Sequence, residues 1–131
     1  MADKSGELLI YGFDNICEKI DNIIEELDLK EEIFEIKLIM MEAVTNAVLH
    51  GNAGDVNKLV KLKYQLSDET LIIKVKDSGN GFNKVKDMTE INENRLYDES
   101  GRGLYLIECF ADKVQYEGNS IIMTKYICKG E

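Results

Sequence analysis

Three short stretches of this chain carry residue types that could do chemistry together. In the first, Glu42, Asn46 and His50 recur every four residues. In an α-helix that spacing turns each only about 40° from the last, so the three line one stripe. A carboxylate on such a stripe is costly to bury unless a charge or hydrogen bond satisfies it, and an amide oxygen one turn later is a hard donor of the kind magnesium accepts. A cation carried by a nucleotide would account for both. A solvated helix face with His50 at its end would give the same spacing.

The second stretch is Asp77-Ser78-Gly79-Asn80-Gly81-Phe82, directly after an apolar strand. Glycines there let the backbone bend sharply and let a flat ligand approach with no Cβ in the way, and a carboxylate at a strand end can accept a hydrogen bond from an exocyclic amine. The same residues also suit a plain chain reversal. The third, Ser100-Gly101-Arg102-Gly103-Leu104, opens a helix, where free N–H groups and the helix dipole attract an anion. Arg102 adds a charge-assisted donor, while Asp98 and Glu99 just upstream oppose an anion. A glycine hinge capped by Ser100 is the alternative.

The elements that must hold these stretches follow from hydrophobic periodicity. Leu8 to Phe13 is a short apolar run that suits a strand, closed by Gly12 and an N-cap at Asp14. Ile16, Ile20, Ile23, Ile24 and Leu27 recur at helical spacing from Asn15 onward. A second helix is expected from about Glu31 to Leu49, so apolar in its second half that it must be central in the fold. Leu59 to Leu66 and Leu71 to Val75 alternate as a hairpin with a four-residue loop, Ser67 to Thr70. Residues 83 to 100 are polar and weakly periodic, longer than an ordinary connection, and read as a mobile lid. A helix from Arg102 to Ala111 and a hairpin turning at Gly118 and Asn119 complete the order β-α-α-β-β-lid-α-β-β.

Bulk composition narrows the class. The length of 131 residues fits one domain able to bury a core without metal or disulfide support. A net charge of −9 repels phosphate backbones and anionic lipid, which argues against nucleic acid and membrane surfaces as partners. Cys17, Cys109 and Cys128 are widely spaced among apolar residues and are expected to be buried free thiols. With no apolar signal segment in MADKSGE and no run long enough to span a bilayer, the expected location is the cytoplasm.

EAVTNAVLHGN at 42–52, DSGNGF at 77–82 and SGRGLYLI at 100–107 stand in the order and spacing of the N, G1 and G2 boxes of Bergerat-fold ATPases. Three matches in order are far more specific than any one loop. Over nearly its whole length the chain resembles the bacterial anti-sigma-factor serine-protein kinases. The resemblance implies an α/β fold, an α+β two-layer sandwich with a mixed, mainly antiparallel sheet under three helices. It also implies one domain over residues 1–131 with an ATP lid at about 83–100. By the same resemblance Asn46 would hold magnesium on the ATP phosphates and Asp77 would bind the adenine amino group. Gly79, Gly81 and Phe82 would form the adenine side of the site, with Ser120 helping to fix a water beside Asp77. Gly101, Arg102, Gly103 and Leu104 would form the phosphate side, and Glu42 would accept the proton of an attacking serine hydroxyl.

The partners so implied are a STAS-type anti-anti-sigma protein, phosphorylated on serine, and a sigma factor held inactive, with the kinase a homodimer. An ATP-binding partner switch with weak or no kinase activity, or one acting on a target other than a sigma factor, is the second reading. A detached histidine-kinase catalytic domain is the third, disfavoured because the chain has no room for a dimerisation helix pair and its sole histidine, His50, belongs to the N box.

Overall fold

The computed structural model describes residues 3–29, 31–79 and 99–127, with residues 99–103 described by backbone alone. Along the chain run β1 (Lys4–Tyr11), α1 (Ile16–Leu27), α2 (Ile33–Asn46), a π-helical turn (Ala47–Gly51), β2 (Leu59–Ser67) and β3 (Thr70–Lys76). They are followed by α3 (Glu99–Phe110), β4 (Lys113–Glu117) and β5 (Ser120–Tyr126). The expected order of elements is present. The lid up to residue 98, with Gly81 and Phe82, lies outside the described residues.

The strands form one five-stranded sheet in the order β1-β2-β3-β5-β4. All four pairings are antiparallel, so the mainly antiparallel sheet expected is wholly so among the described residues. The register sets Ile10 opposite Val60, Leu62 opposite Val75, and Ile73 opposite both Tyr64 and Met123. The period-two alternation of each strand therefore merges into a single apolar face. The helices cover that face, and Ile20, Leu27, Ile36, Ile39, Met40 and Ile107 join the strand residues in one core. Burying each such side chain contributes roughly 1.5–3 kcal/mol, which is why the amphipathic pattern dictates which side of every element turns inward. On the other face Leu9, Tyr11, Ile72 and Tyr126 stay exposed. The architecture is a two-layer α/β sandwich.

Several boundaries differ from the sequence reading, each for a local reason. β1 begins at Lys4 rather than Leu8, because its ladder with β2 continues to the Lys4–Leu66 pair and hydrogen bonding, not apolarity, sets strand length. Ser67 pairs with Thr70, leaving only Asp68 and Glu69 in the turn, and Asp68 accepts the left-handed conformation this requires (φ 55°). The residue before α1 is Asn15, left-handed and without a side-chain cap, in place of a cap at Asp14. α3 opens at Glu99, inside the range expected for the lid, so Ser100 lies within the first turn.

The cysteine expectation is corrected: Cys17 and Cys109 are exposed, and Cys128 lies outside the described residues. Apolar neighbours in sequence do not share a helix face. On α1 the inward positions are Ile16, Ile20, Ile23, Ile24 and Leu27, which turns Cys17 outward.

The helix layer is tied down by polar contacts. Lys37 of α2 meets Asp21 of α1 at 2.7 Å. The Tyr64 hydroxyl, on the inner face of β2, donates to Glu26 of α1. Gly6 on β1 leaves room for that ring, since a Cβ there would overlap the Tyr64 hydroxyl. Burial, and then the hydrogen bond to Glu26, push the Tyr64 phenol up to about 12. A raised pKa means that the folded state holds the proton after the unfolded chain has lost it, so this stabilisation is whole below the ordinary phenol value of about 10 and is lost as pH climbs through about 12. Urea unfolding between these limits should show stability falling with pH, and Tyr64→Phe should flatten the slope; an equal slope in both proteins would remove Tyr64 as its source.

Candidate functional site

The site is assembled where the end of α2 meets the end of β3. α2 is the central helix, as its apolar second half required: Ile36, Ile39, Met40, Ala43 and Val44 are buried, and it packs between α1 and α3. Glu42 and Asn46 are half-buried one turn apart, which the four-residue spacing demands. Asn46 Nδ2 is enclosed and finds no hydrogen-bond partner among the described residues, a costly state that a ligand able to engage the amide would relieve.

Beyond Asn46 the backbone widens from α-helix into the π turn. The Asn52 N–H donates to the Ala47 carbonyl at 2.8 Å, five residues back. Single π turns of this kind recur at functional sites. His50 lies within this turn and is exposed, whereas Glu42 and Asn46 are half-buried.

The π turn delivers Gly51 against the DSG segment. A Cβ on Gly51 would overlap the Asp77 carboxylate, and a Cβ on Gly79 would overlap the Gly51 carbonyl oxygen. Both glycines are thus required by close approach, and together they set the Asp77 carboxylate against the end of α2. Asp77 is 2 % exposed, and its Oδ1 accepts the Gly79 N–H at 2.8 Å.

Two asparagines that the sequence reading did not single out as site residues hold this junction. Asn52 is completely buried. Its Nδ2 donates to the Lys58 and Leu59 carbonyls at 3.2 and 3.3 Å, and its Oδ1 accepts the Ser78 N–H at 2.7 Å. Ser78 Oγ donates to the Leu59 carbonyl as well, at 2.7 Å. On the other side the Asn119 side chain donates to the Asp77 carbonyl, while the Asp77 N–H donates to the Asn119 carbonyl at 3.1 Å. In sequence Asn52 reads as a helix terminator and Asn119 as a hairpin turn residue. Nothing local distinguishes those roles from latching a loop 26 or 42 residues away.

Of the expected site residues, the fold brings Asp77 and Gly79 to the end of α2 beyond Asn46. Ser120 is buried and lies opposite Lys76, next to this junction. Leu104 is half-buried against the core from the first half of α3. Gly101, Arg102 and Gly103 follow the opening residues of that helix, and their side chains are outside the described part. The donor set of carboxylate, amide and glycine backbone suits a nucleotide: a flat heterocycle with an exocyclic amine on one side and a phosphate-bound hard cation on the other.

Fold and junction together define a histidine-kinase-like ATPase domain, and the sequence profile described as the histidine kinase-like ATPase domain matches residues 14–125. Relatives include an anti-sigma F factor of Oceanobacillus iheyensis, 33% identical over 86% of this chain and 82% of the relative. A serine-protein kinase RsbW of Listeria innocua is 32% identical over 74% of this chain and 68% of the relative. An anti-sigma F factor of Clostridium novyi is 34% identical, covering 78% and 77%. The chain belongs to the anti-sigma-factor serine-protein kinase family of histidine-kinase-like ATPases.

Asn52→Ala removes the bonds of the Asn52 side chain to Lys58, Leu59 and Ser78 and leaves backbone groups with fewer partners, at an expected cost of about 1–3 kcal/mol. Urea unfolding should register that loss, and titration with a fluorescent ATP analogue should register weaker binding through the displaced Asp77 segment. Unchanged nucleotide affinity would show that the latch serves stability alone.

Proposed function

We propose that the chain is an ATP-dependent serine-protein kinase and anti-sigma factor of a cytoplasmic partner-switching system, acting on a serine of a STAS-type anti-anti-sigma protein. The single observation that carries this reading is Glu42, a half-buried carboxylate one helical turn from Asn46, in a family whose members include named serine-protein kinases. Asn46 Nδ2, a donor enclosed and without a partner among the described residues, and the glycine-lined approach to Asp77 support ATP as the substrate.

Asp77 accepts a hydrogen bond from the adenine amino group, and its bond from the Gly79 N–H fixes the carboxylate for that task. Gly79, Gly81 and Phe82 line the base, and Ser120, buried beside Asp77, orients a water there. Asn46 supplies the amide oxygen for magnesium. Magnesium, when bound, neutralises the phosphate charge that builds during transfer. Gly101, Gly103 and Leu104 form the phosphate side from the first half of α3, the glycines leaving room for close approach, with Arg102 adding charge.

Glu42 orients the incoming serine hydroxyl and takes its proton as the oxygen attacks the terminal phosphorus. The bond from that phosphorus to the bridging oxygen breaks, and ADP leaves. Because positioning and charge neutralisation dominate phosphoryl transfer, a single well-placed carboxylate suffices on the protein's side. No helix among the described residues is long and apolar enough to cross a membrane, which suits a cytoplasmic switch. A single domain over the chain, a homodimeric state and a sigma factor as the second partner complete the proposal.

With labelled ATP and a STAS-type antagonist protein from the same organism, Glu42→Gln should lower the rate of serine phosphorylation by about 10²-fold or more while ATP affinity is kept. Asn46→Ala should instead abolish the magnesium dependence of ATP binding. Full transfer by Glu42→Gln removes Glu42 as the base. Tight ATP binding without transfer to any antagonist in the unaltered protein identifies a switch module with no kinase activity.

A further inference from the structure

Asn52, Asp77, Ser120 and Lys125 are the buried polar side chains among the described residues. The first three belong to the nucleotide junction. Lys125, 8 % exposed, lies at the other end of β5 from Ser120, opposite Leu71 and on the inner face with Ile121 and Met123. Desolvating an ammonium is costly, and here the compensation is partial. Its Nζ donates to the Phe110 carbonyl at 2.7 Å but stands 4.0 Å from Glu32 Oε1, too far for a hydrogen bond. Glu32 Oε2 is enclosed and finds no hydrogen-bond partner among the described residues. An apolar side chain of similar volume would serve the core as well or better, so stability does not account for the lysine.

Its two partners are helix ends that bear on the site. Phe110 is the last residue of α3, whose closing turn has no basic residue of its own, so its free carbonyls and negative dipole end draw the lysine. Glu32 immediately precedes α2. α2 and α3 pack side by side, and with the end of one held to the start of the other they run antiparallel. The opening of α3, with Gly101 and Gly103, therefore lies toward the end of α2 that carries Asn46. A helix is stiff along its axis, so a slide at Phe110 passes whole to the first turn of α3, and a misplacement of about 1 Å is enough to impair a reacting arrangement.

Two other contacts fasten the chain after α3 to β5. The Asp112 N–H donates to the Thr124 carbonyl at 2.8 Å, and the Tyr126 N–H donates to Asp112 Oδ2 at 2.7 Å. Both would survive loss of the lysine, and of the three contacts that of Lys125 alone reaches α2 as well. We propose that Lys125 is a positioning residue for the ATP phosphates: by joining the Phe110 carbonyl to Glu32 it sets how far α3 lies along α2, and so the distance between the phosphate side of the site and Asn46. The proposal rests on the reading of this site as one for ATP.

The test is calorimetric titration of the full chain with ATP and magnesium, and separately with AMP, which shares the base but lacks the outer phosphates. Lys125→Met should lower ATP affinity about tenfold while AMP affinity stays within about twofold, and its urea midpoint should not fall. Lys125→Met with Glu32→Gln, which leaves no carboxylate without its cation, should show the same selective loss. Lys125→Arg, which keeps a cation and donors at this place, should retain the preference for ATP. Equal ATP affinity in Lys125→Met and the unaltered protein would overturn the proposal while leaving the ATP site intact. Parallel loss of ATP and AMP affinity, or loss of the fold in both methionine variants, would make Lys125 a structural clip and overturn it too. An unaltered protein that binds neither nucleotide would remove the ATP reading itself, and the proposal with it.

Discussion

The structure depends on a contact that only glycine permits. Gly51 and the Asp77-Ser78-Gly79 segment approach so closely that a methyl group at either glycine would occupy space already filled by the Asp77 carboxylate or the Gly51 carbonyl. That approach joins the end of the central helix to the end of β3, and so joins two motifs more than 20 residues apart in sequence into one site. The π turn makes it possible. By widening the last turn of the helix it swings Gly51 toward the strand end, and the buried Asn52 then fixes the result through the carbonyls of Lys58 and Leu59 and the N–H of Ser78.

Around that junction the fold is a division of labour between the two faces of one sheet. The inner face supplies the apolar rows on which α1, α2 and α3 rest, and these helices set the height of Glu42 and Asn46 relative to Asp77. A few inner positions are polar and serve as clips. Tyr64 reaches Glu26 of α1, and the buried Lys125 of β5 donates to the Phe110 carbonyl at the end of α3 while lying 4.0 Å from Glu32, just before α2. These contacts hold the helices that carry the site, whereas the outer face, free of that duty, carries charge.

Much of this was legible in the sequence because the signals were periodic. Residues at helical spacing between Ile16 and Leu27 fixed α1 and its buried side, and alternation in β2 and β3 gave both the hairpin and its inner face. The central position of α2 followed from the breadth of its apolar surface. What escaped was set by contacts distant in sequence. Asn52 and Asn119 look like ordinary terminators until the strands they latch are in place, and the π turn has no pattern that separates it from one more α turn. Cys17 and Cys109 misled because apolar neighbours along the chain said nothing of the helix face on which each thiol points. The extra residues of β1 came from pairing with β2, which no local run of side chains announces.

We propose that the carboxylate held at this glycine junction reads the adenine base. The most direct measurement is calorimetric titration of ATP and of inosine triphosphate, which lacks the exocyclic amine, into the unaltered protein and into Asp77→Asn. The account predicts that the unaltered protein prefers ATP by about tenfold or more, as expected for a charge-assisted hydrogen bond, and that Asp77→Asn loses the preference while keeping the fold. Equal affinity for the two nucleotides in the unaltered protein, or an undiminished preference in Asp77→Asn, would contradict it.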